Sequence, residues 1–402
     1  MRLSKYFYKS KKDIKENLPL SLNRLLRGCF VSQEATGIVR FLPLGLKVLK
    51  KITKIIEEEM DKIALQIELP FLQSSELWKK SGRYEAYGKE MLRVKDRNNQ
   101  EFLLPPTCEE AFFDVFKNTC ESYRYLPKTL YQISWKFRDE MRPRSGLLRG
   151  RLFLMKDAYS FTETPEESYQ DYVNHFNTYV NICKKLHLEV YSIAADSGEI
   201  GGDLSHEFVV RSEEGDGMAY LLEPAPTITC IQELKDISGT FDGTDTTKIY
   251  QEHRVMEIGH IFYYDTKYSE KTATRFTNQK GELVAPYGGC YGIGVTRLMG
   301  ILSMEDFWPS VVAPFTLHMI NIIKYEDTSE NLYNILLKQK IDVLYDDRNL
   351  SFSEKKHDMH LIGIPYRIIV GAKIEFYYYK EEKFFTCIDE FLIFLKLQLT
   401  SI

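Results

Sequence analysis

The amino-acid sequence predicts an α+β fold, with an antiparallel sheet flanked by helices, followed by a small α/β domain at the end of the chain. Two observations lead to this prediction. Two segments of alternating polarity, 129–140 and 149–161, flank a Pro-Arg-Ser-Gly turn, which is the pattern of a β-hairpin. Beyond residue 313, strand-like and helix-like segments alternate, which indicates strands joined by right-handed helical crossovers.

Composition narrows the class of protein. A chain of 402 residues exceeds one typical hydrophobic core, so two or three domains are expected. The formal net charge of -4 argues against a general nucleic-acid coat, so a polyanionic partner must be met by local basic patches. The seven cysteines form no CxxC pair and lie near no histidine couple, so we expect neither a disulfide framework nor a zinc site. No apolar run reaches membrane-spanning length and the first residues lack a secretory signal, so we expect a cytoplasmic protein without membrane contact.

An amphipathic helix is predicted from Pro43 onward. Apolar side chains recur there at helical spacing: Leu49, Ile52, Ile56, Met60 and Ile63. The helix runs into the segment LQIELP, which predicts a short strand ending at Pro70, where the missing backbone donor suits a strand end or a sheet edge.

The predicted hairpin gathers an unusual number of arginines: Arg138, Arg142, Arg144, Arg149 and Arg151. Period two places Arg138 on a polar face together with Gln132, Ser134 and Lys136. In the returning strand the odd positions share one face: Arg149, Arg151, Phe153, Met155, Asp157 and Tyr159. Such a face could bind phosphate, a flat base and a small side chain, although a solvated basic hairpin is the alternative that this segment alone leaves open.

Two glycine-rich segments permit close backbone approach, GEIGGDLSHEF at 198–208 and YGGCYGIGVTRLMG at 287–300. The second is predicted to be a strand that leads into a helix, and neither matches a Walker or dinucleotide-binding loop. Taken alone, each is more typical of a tight sheet crossing than of a site. Near the C-terminus the strands are predicted in FTLHMINII, IDVLYDD and YRIIVGA, the helices at 326–339, 352–361 and 388–398, and a linker at 311–315.

The chain resembles the bacterial-type prolyl-tRNA synthetases, a family of class IIa aminoacyl-tRNA synthetases. The helix and strand ending at Pro70 resemble motif 1, FRDE with the following RxxxF resembles motif 2, and GIGVTR resembles motif 3. The more specific strings are LPLGLKVL, LWKKSGRYEAYGKEMLR, PPTCEEAF, KFRDEMRPR, FLMKDAYSF, GGDLSHEF, EIGHIF, GCYGIGVTR and DMHLIGIP. The resemblance covers nearly the whole chain and implies a class II catalytic core followed by an anticodon-binding domain.

The resemblance implies a function and a set of substrates. Proline is activated with ATP to prolyl adenylate and then transferred to the 3′ end of tRNA(Pro), with Mg²⁺ as countercharge and no zinc. Arg138 would bridge the proline carboxylate and the α-phosphate, while Arg149 and Arg297 would hold the β- and γ-phosphates; Arg138 and Arg297 are the expected catalytic residues. Phe153 would stack on adenine, Glu140 would meet the adenine edge, and Thr266 would approach the ribose.

The resemblance also assigns the amino-acid and tRNA contacts. Thr107 and Glu109 would bind the imino group of proline, because a buried ammonium needs an anionic partner. Four further residues would line the proline-ring pocket: Met155, Tyr159, His206 and Cys290. For His206 and Cys290, a purely structural buried role is the alternative. Arg142 is the candidate for the tRNA acceptor end, and Asp347 and Arg348 are the candidates for the anticodon.

Domain limits and alternatives follow from the same resemblance. We expect a catalytic domain at 1–310, in which a short segment, 211–255, replaces a large editing insertion, and an anticodon-binding domain at 311–402. A homodimer is expected through motif 1, around Pro70. The alternative function is a catalytically impaired synthetase-like protein that binds RNA or another partner. Among enzymes, threonyl- or seryl-tRNA synthetase is the second choice, but the former needs a metal-binding Cys/His set and neither accounts for the prolyl strings.

Overall fold

The computed structural model describes residues 1–11, 18–143, 146–198, 200, 202, 204–221, 224–228, 233 and 251–400. The chain falls into two compact units. We call them the central unit, formed by 36–38 and 53–298, and the terminal unit, formed by 1–35, 39–52 and 299–402. Among the helices of the described ranges, none combines the length and the apolar composition needed to cross a membrane.

The helices and strands of the described residues are numbered in chain order. The helices are α1 (Leu20–Arg27), α2 (Pro43–Met60), α3 (Ser75–Ser81), α4 (Arg83–Ala86), α5 (Glu109–Thr119), α6 (Pro165–Lys185), α7 (Lys267–Lys271), α8 (Val295–Leu302), α9 (Glu326–Lys338), α10 (Phe352–Ile362) and α11 (Ile388–Thr400). The strands are β1 (Val31–Ala35), β2 (Ile38–Phe41), β3 (Leu65–Gln66), β4 (Gln73–Ser74), β5 (Arg93–Lys95), β6 (Glu101–Leu103), β7 (Lys128–Phe137), β8 (Leu152–Phe161), β9 (Tyr191–Ala194), β10 (Leu204–Arg211), β11 (Gly217–Leu221), β12 (Gln251–Asp265), β13 (Phe276–Thr277), β14 (Leu283–Val284), β15 (Gly288–Gly294), β16 (Leu317–Asn321), β17 (Val343–Asp346), β18 (Tyr366–Val370), β19 (Ile374–Tyr378) and β20 (Glu381–Phe385).

An eight-stranded sheet forms the centre of the central unit. Its order is β3-β7-β8-β15-β12-β10-β9, with β11 also paired to β12. All neighbours are antiparallel except β3 and β7. Helix α6 packs on this sheet, and the Phe176 and Phe208 rings meet at 5.0 Å. The helix begins at Pro165 because Thr164 and Glu167 form a capping box around its first turn. The predicted antiparallel sheet with flanking helices is confirmed.

The β7–β8 hairpin has the predicted register. Gln132 lies opposite Asp157, Ser134 opposite Met155, and Lys136 opposite Phe153, so these polar and ligand-facing positions share one face. Arg151 differs from the prediction. Strand β8 begins only at Leu152, so the alternation does not reach residue 151.

The Arg151 guanidinium instead pairs with Asp139 and lies 5.3 Å from the Phe137 ring. Phe137 belongs to the apolar set of β7 positions, which period two places opposite the face of Arg138.

In the motif 1 segment the predicted helix is confirmed, but the strand that follows it is shorter than predicted. Leu49, Ile52, Ile56 and Met60 of α2 are buried at 4% exposure or less. Strand β3, however, covers only two residues, and Pro70 lies four residues beyond its end. The residues after β3 therefore leave the sheet, and several of their apolar side chains are exposed.

A five-stranded sheet forms the core of the terminal unit, in the order β17-β16-β18-β19-β20. Strands β16, β17 and β18 are parallel, while β19 and β20 add an antiparallel hairpin. The three predicted strands and three predicted helices are confirmed. The added hairpin was not predicted, because four of the five residues of β20 are exposed and give no apolar alternation.

The first residues of the chain pair with the edge of this sheet. Arg2 forms a parallel bridge with Tyr345 in β17, and its guanidinium donates to both oxygens of Glu330 at 2.5 Å. Leu3 is 1% exposed, and Ser4 donates to Asp347 through both its backbone nitrogen and its hydroxyl. This segment covers backbone groups of an edge strand that would otherwise be open to another chain.

The segment predicted to replace an editing insertion is described only in part. Strand β11 pairs with the start of β12 and closes one end of the central sheet. The remainder at 222–223, 229–232 and 234–250 lies outside the described residues, as does Arg144 of the arginine cluster.

Candidate active site

A cleft of about 300 Å³ opens on the hairpin face of the central sheet. Its walls come from the β7–β8 hairpin, strands β12 and β15, the first turn of α8, and the segment before α5. A cavity of this size suits a small-molecule substrate. Ten of the residues predicted for ATP and proline line it: Thr107, Glu109, Arg138, Glu140, Arg149, Phe153, Met155, Tyr159, Cys290 and Arg297.

Arg138 stands at the end of β7, where the strand leaves the sheet. Its Nε and Nη2 atoms donate to the Pro106 carbonyl oxygen at 3.3 and 3.2 Å. The guanidinium lies 5.3 Å from the centre of the Phe153 ring. The carbonyl contact uses one edge of the planar fork, so the rest of the guanidinium can hold anions in the cleft.

Arg149 faces the cleft from the other side of the hairpin turn. It pairs with Glu140 at 3.3 Å and with Asp216 at 3.5 Å, and 44% of its side chain is exposed. Pairs this open to water are weak, so an incoming polyphosphate can compete for the guanidinium.

Arg297, in the first turn of α8, forms the opposite wall. Its Nε donates to the Leu148 carbonyl at 2.8 Å, and its Nη1 donates to the Glu257 carbonyl at 2.6 Å and to the Glu257 carboxylate at 3.3 Å. These contacts fix the direction of the guanidinium before any ligand arrives.

Glu257 is the acidic member of this wall, and about a third of its side chain faces the cleft. Burial opposes its ionisation, but the hydrogen bond from His260 and the charges of Arg297 and Arg138 outweigh that effect and lower its pKa to about 2. Ligand atoms of Glu207, Glu257 and His260 lie within 4.8 Å of one another, so this group could hold a metal ion. Glu257 and His260 lie in the family string EIGHIF, but the resemblance assigned neither of them a role.

The floor of the cleft carries the predicted ammonium site. Thr107 Oγ1 donates to Glu109 Oε2 at 2.7 Å and lies 3.2 Å from the Tyr159 hydroxyl, which in turn donates to Asp157 at 3.1 Å. Burial opposes the ionisation of Glu109, but Arg83 and Thr107 lower its pKa below the usual range. The site is therefore a preformed carboxylate beside apolar walls, suited to a small cationic group.

Arg83 completes this floor and was missed in the sequence. Its Nη1 donates to Glu109 Oε2 at 2.9 Å and to both oxygens of Glu110 at 3.2 Å. The only available signal was that an arginine and two adjacent glutamates fall in two of the family strings, and spacing alone does not place them in contact.

The glycines of β15 serve two purposes. A Cβ atom on Gly289 would lie 2.4 Å from the Phe262 carbonyl, so this position is a tight sheet crossing, as its sequence suggests. Gly292 and Gly294 instead line the cleft. The segment is thus both a crossing and part of the site.

Two predicted ligand residues do not line the cleft. His206 is 1% exposed, and its Nδ1 lies 2.7 Å from the Tyr172 hydroxyl. Burial, and to a lesser degree His260, lowers its pKa to about 4, so it is neutral at ordinary pH. This agrees with the structural alternative considered for His206, whereas Cys290 does line the cleft. Thr266 lies at the N-terminal end of α7 and is not among the cleft-lining residues.

The three predicted tRNA contacts lie in different surroundings. Arg142 is exposed on the hairpin turn. In the terminal unit, Arg348 donates to Asp346 at 2.7 and 2.6 Å and to Asp358 at 2.8 Å, so much of its fork is used within the protein. Asp347 accepts both hydrogen bonds from Ser4.

Comparison with protein families gives two matches along the chain. Residues 92–306 match the tRNA synthetase class II core domain (G, H, P, S and T). Residues 311–375 match the anticodon binding domain.

Individual proteins are similar over almost the whole length. The proline--tRNA ligase of Wolbachia sp. subsp. Drosophila simulans (strain wRi) is 41% identical over 394 residues, which cover 93% of this chain and 92% of the relative. The fold is similar to that of prolyl-tRNA synthetase from Cryptosporidium parvum complexed with halofuginone and AMPPNP, with a TM-score of 0.76, 16% identity, and coverage of 95% of this chain and 77% of the other. It is also similar to Giardia lamblia prolyl-tRNA synthetase in complex with prolyl-adenylate, with a TM-score of 0.75, 20% identity, and coverage of 92% and 75%.

Two family models match the chain, and a relative is 41% identical over almost its whole length. The cleft agrees with these matches, because it joins three arginines to a buried carboxylate. The chain therefore belongs to the proline–tRNA ligase family of class II aminoacyl-tRNA synthetases.

Proposed function

We propose that this protein activates proline with ATP and transfers the prolyl group to tRNA(Pro). The observation that carries the proposal is the single cleft that holds a carboxylate for a small ammonium group beside arginines for a polyphosphate. In the first step, a proline carboxylate oxygen attacks the α-phosphorus, the bond to the bridging oxygen breaks, and prolyl adenylate and pyrophosphate form. In the second step, a hydroxyl of the terminal tRNA ribose attacks the prolyl carbonyl carbon and AMP leaves.

The residues of the cleft divide this work by charge. Glu109 and Thr107 receive the proline ammonium, while Met155, Tyr159 and Cys290 surround the ring. Arg138 lies between the two reactants and holds both anions in line for attack. Arg149 and Arg297 carry the pyrophosphate side, and Phe153 and Glu140 meet the adenine. Charge that develops at the α-phosphate thus meets donors already in place.

The donor chemistry at the edge of the cleft fits Mg²⁺. Glu207 and Glu257 supply carboxylate oxygens, which Mg²⁺ prefers, and His260 lies beside them. These carboxylates would hold the ion, which supplies countercharge to the triphosphate when bound. We predict no requirement for zinc.

The remaining assignments rest on the family. We propose a catalytic domain at 1–310 and an anticodon-binding domain at 311–402, with Arg142 at the acceptor end and Asp347 and Arg348 at the anticodon. We further propose a cytoplasmic homodimer through the segment around Pro70. Nothing in the comparisons favours a catalytically impaired protein, and the phosphate-binding arginines are all in the cleft.

Proline-dependent exchange of pyrophosphate into ATP tests the proposal. Purified protein is assayed with each of the twenty amino acids in turn. Exchange with proline far above the other nineteen is expected. Absence of exchange with proline, from protein that is folded by circular dichroism, would contradict the proposal.

A further inference from the structure

The ammonium site belongs to a buried ion cluster that contains two carboxylates and one guanidinium. Two consecutive carboxylates, Glu109 and Glu110, are each 1% exposed, and one guanidinium, Arg83, serves both. The Ser81 hydroxyl donates to Glu110 Oε1 at 2.7 Å. Only Glu109 of the two glutamates lines the cleft.

Aromatic rings hold Arg83 in position. Its guanidinium carbon lies 5.1 Å from the Trp78 ring, 5.3 Å from the Tyr87 ring and 5.5 Å from the Tyr268 ring. Because the arginine is enclosed on these sides and is 6% exposed, it cannot swing into water when a second cation arrives.

The contacts of Glu109 are asymmetric. Both Arg83 and Thr107 donate to the same oxygen, Oε2. Oε1 takes neither of these hydrogen bonds; the Cys290 thiol, which also lines the cleft, hydrogen-bonds to the same carboxylate. We infer that a ligand ammonium is received at Oε1, beside Cys290. A bidentate arginine would instead have occupied both oxygens.

The second carboxylate changes the net charge that a ligand meets. An isolated Arg83–Glu109 pair would be neutral and would attract a cation weakly. Glu110 draws on the same guanidinium nitrogen, so Glu109 is less fully neutralised on its cleft side. Burial, opposed by the charge of Arg83, and the charge of Glu109 raise the pKa of Glu110.

We propose that Arg83 and Glu110 are positioning and specificity residues for the substrate ammonium: Arg83 holds Glu109 by Oε2 so that Oε1 faces the ligand, and Glu110 keeps Arg83 from neutralising Glu109. This inference rests on the proposed function of the cleft. The cluster acts on the ammonium group alone, so its loss weakens proline binding and leaves ATP binding intact.

Kinetics of proline-dependent pyrophosphate exchange test this on four proteins beside the wild type. They are Arg83→Lys, Arg83→Gln, the double variant Arg83→Gln with Glu110→Gln, and a control, Arg275→Gln. Arg275 is a partly buried arginine of the same unit that pairs with Glu270 and lies outside the cleft. A non-reacting probe, tetrahydrofuran-2-carboxylate, has the shape of proline but no N–H donor, and its inhibition constant is measured in parallel.

For Arg83→Gln we expect KM for proline to rise on the order of 100-fold, because a buried carboxylate loses its charged partner, while KM for ATP changes by less than about threefold. Arg83→Lys should fall between that variant and the wild type. The double variant should recover part of the loss, since removing the Glu110 charge lets Glu109 ionise again. Affinity for the tetrahydrofuran probe should be nearly the same in all proteins, and Arg275→Gln should match the wild type.

Two results would overturn the inference. One is a parallel rise in KM for proline and ATP, and the other is a loss of probe affinity as large as the loss for proline; either would mean a general structural role. If Arg83→Gln does not fold, Arg83→Lys and the double variant give the same comparison. A wild type without proline-dependent exchange would instead contradict the proposed function itself, so the two failures are distinguishable.

Discussion

Arg138 is the side chain on which we expect the chemistry of the cleft to depend most, because in our proposal it holds both anions from a strand end. We expect Arg138→Ala to lower exchange by a factor of about 10²–10³ or more, corresponding to roughly 3–4 kcal/mol for a preorganised charge. The fold should persist, since among the described residues the guanidinium hydrogen-bonds to one carbonyl oxygen and lies near the Phe153 ring. Exchange rates and circular dichroism of the purified variant measure both effects.

The matched control for that variant is Arg151→Ala. Arg151 sits on the same hairpin, but it pairs with Asp139 and does not line the cleft. Its exchange activity should stay within a few-fold of wild type. If the two variants lose activity equally, Arg138 has no special part in activation.

Substitution of Arg142 should distinguish proline activation from prolyl transfer to tRNA. It is exposed on the hairpin turn and does not line the cleft. Arg142→Ala should therefore leave exchange unchanged and lower the rate of prolyl transfer to tRNA(Pro), measured in a single turnover from preformed adenylate. Equal losses in both assays would place Arg142 in the ATP site.

The strand β3 and the turn that follows it suit a subunit interface. Leu65, Phe71 and Leu72 are 57%, 43% and 45% exposed, which is unusual for large apolar side chains so close together in the chain. We expect Leu65→Glu to convert a dimer to a monomer in light scattering after gel filtration.

Leu283→Glu provides the control for this substitution, because Leu283 is 73% exposed on β14 of the same unit. That variant should keep the mass of the wild type. A Leu65→Glu protein that remains a dimer would place the interface elsewhere.

The N-terminal segment contacts the loop after β17 through Asp347. Ser4 donates two hydrogen bonds to the Asp347 carboxylate, and the Arg2 guanidinium lies 3.5 Å from the same group. If Asp347 reads the anticodon, Ser4→Ala combined with Arg2→Ala should raise KM for tRNA(Pro) several-fold and leave pyrophosphate exchange unchanged. An unchanged KM for tRNA would show that Asp347 has only a structural role.

For the molecule as a whole, the short segment 211–255 bears on accuracy. The Wolbachia relative is aligned with this chain over 92% of its own length, so it contains no large insertion that is missing from this chain. A proline pocket cannot exclude the smaller alanine by size, and each lost methylene costs the wrong substrate only about 1–3 kcal/mol. We expect detectable exchange with alanine and no deacylation of preformed alanyl-tRNA(Pro) above a control without enzyme. Clear hydrolysis would mean that the chain edits after all.

Much of this organisation could be predicted, because it depends on local patterns. Period two placed Arg138 and Phe153 on one hairpin face, and helical spacing found α2. The prediction that Arg151 shares the face of Phe153 is wrong, because alternation holds only inside the strand and β8 starts one residue later, at Leu152. His206 is not among the residues that line the cleft, because a motif gives a position in sequence, whereas its ring is held by the Tyr172 hydroxyl. Arg83 was missed because it meets Glu109 through the packing of α3, and of α4 that follows it, near α5, a tertiary contact that no single-sequence period encodes.

The pairing of the first residues with β17 bears on the order in which the protein is made. Arg2 and Tyr345 are neighbours in the fold but are separated by most of the chain. At a synthesis rate of about 5–20 residues per second, the leading segment waits roughly 17–70 s for its partner strand to be translated. All residues of the central unit are made within that interval. The central sheet can therefore fold on the ribosome while the segment around Arg2 still waits for strand β17, so this segment pairs only after the central unit has been made.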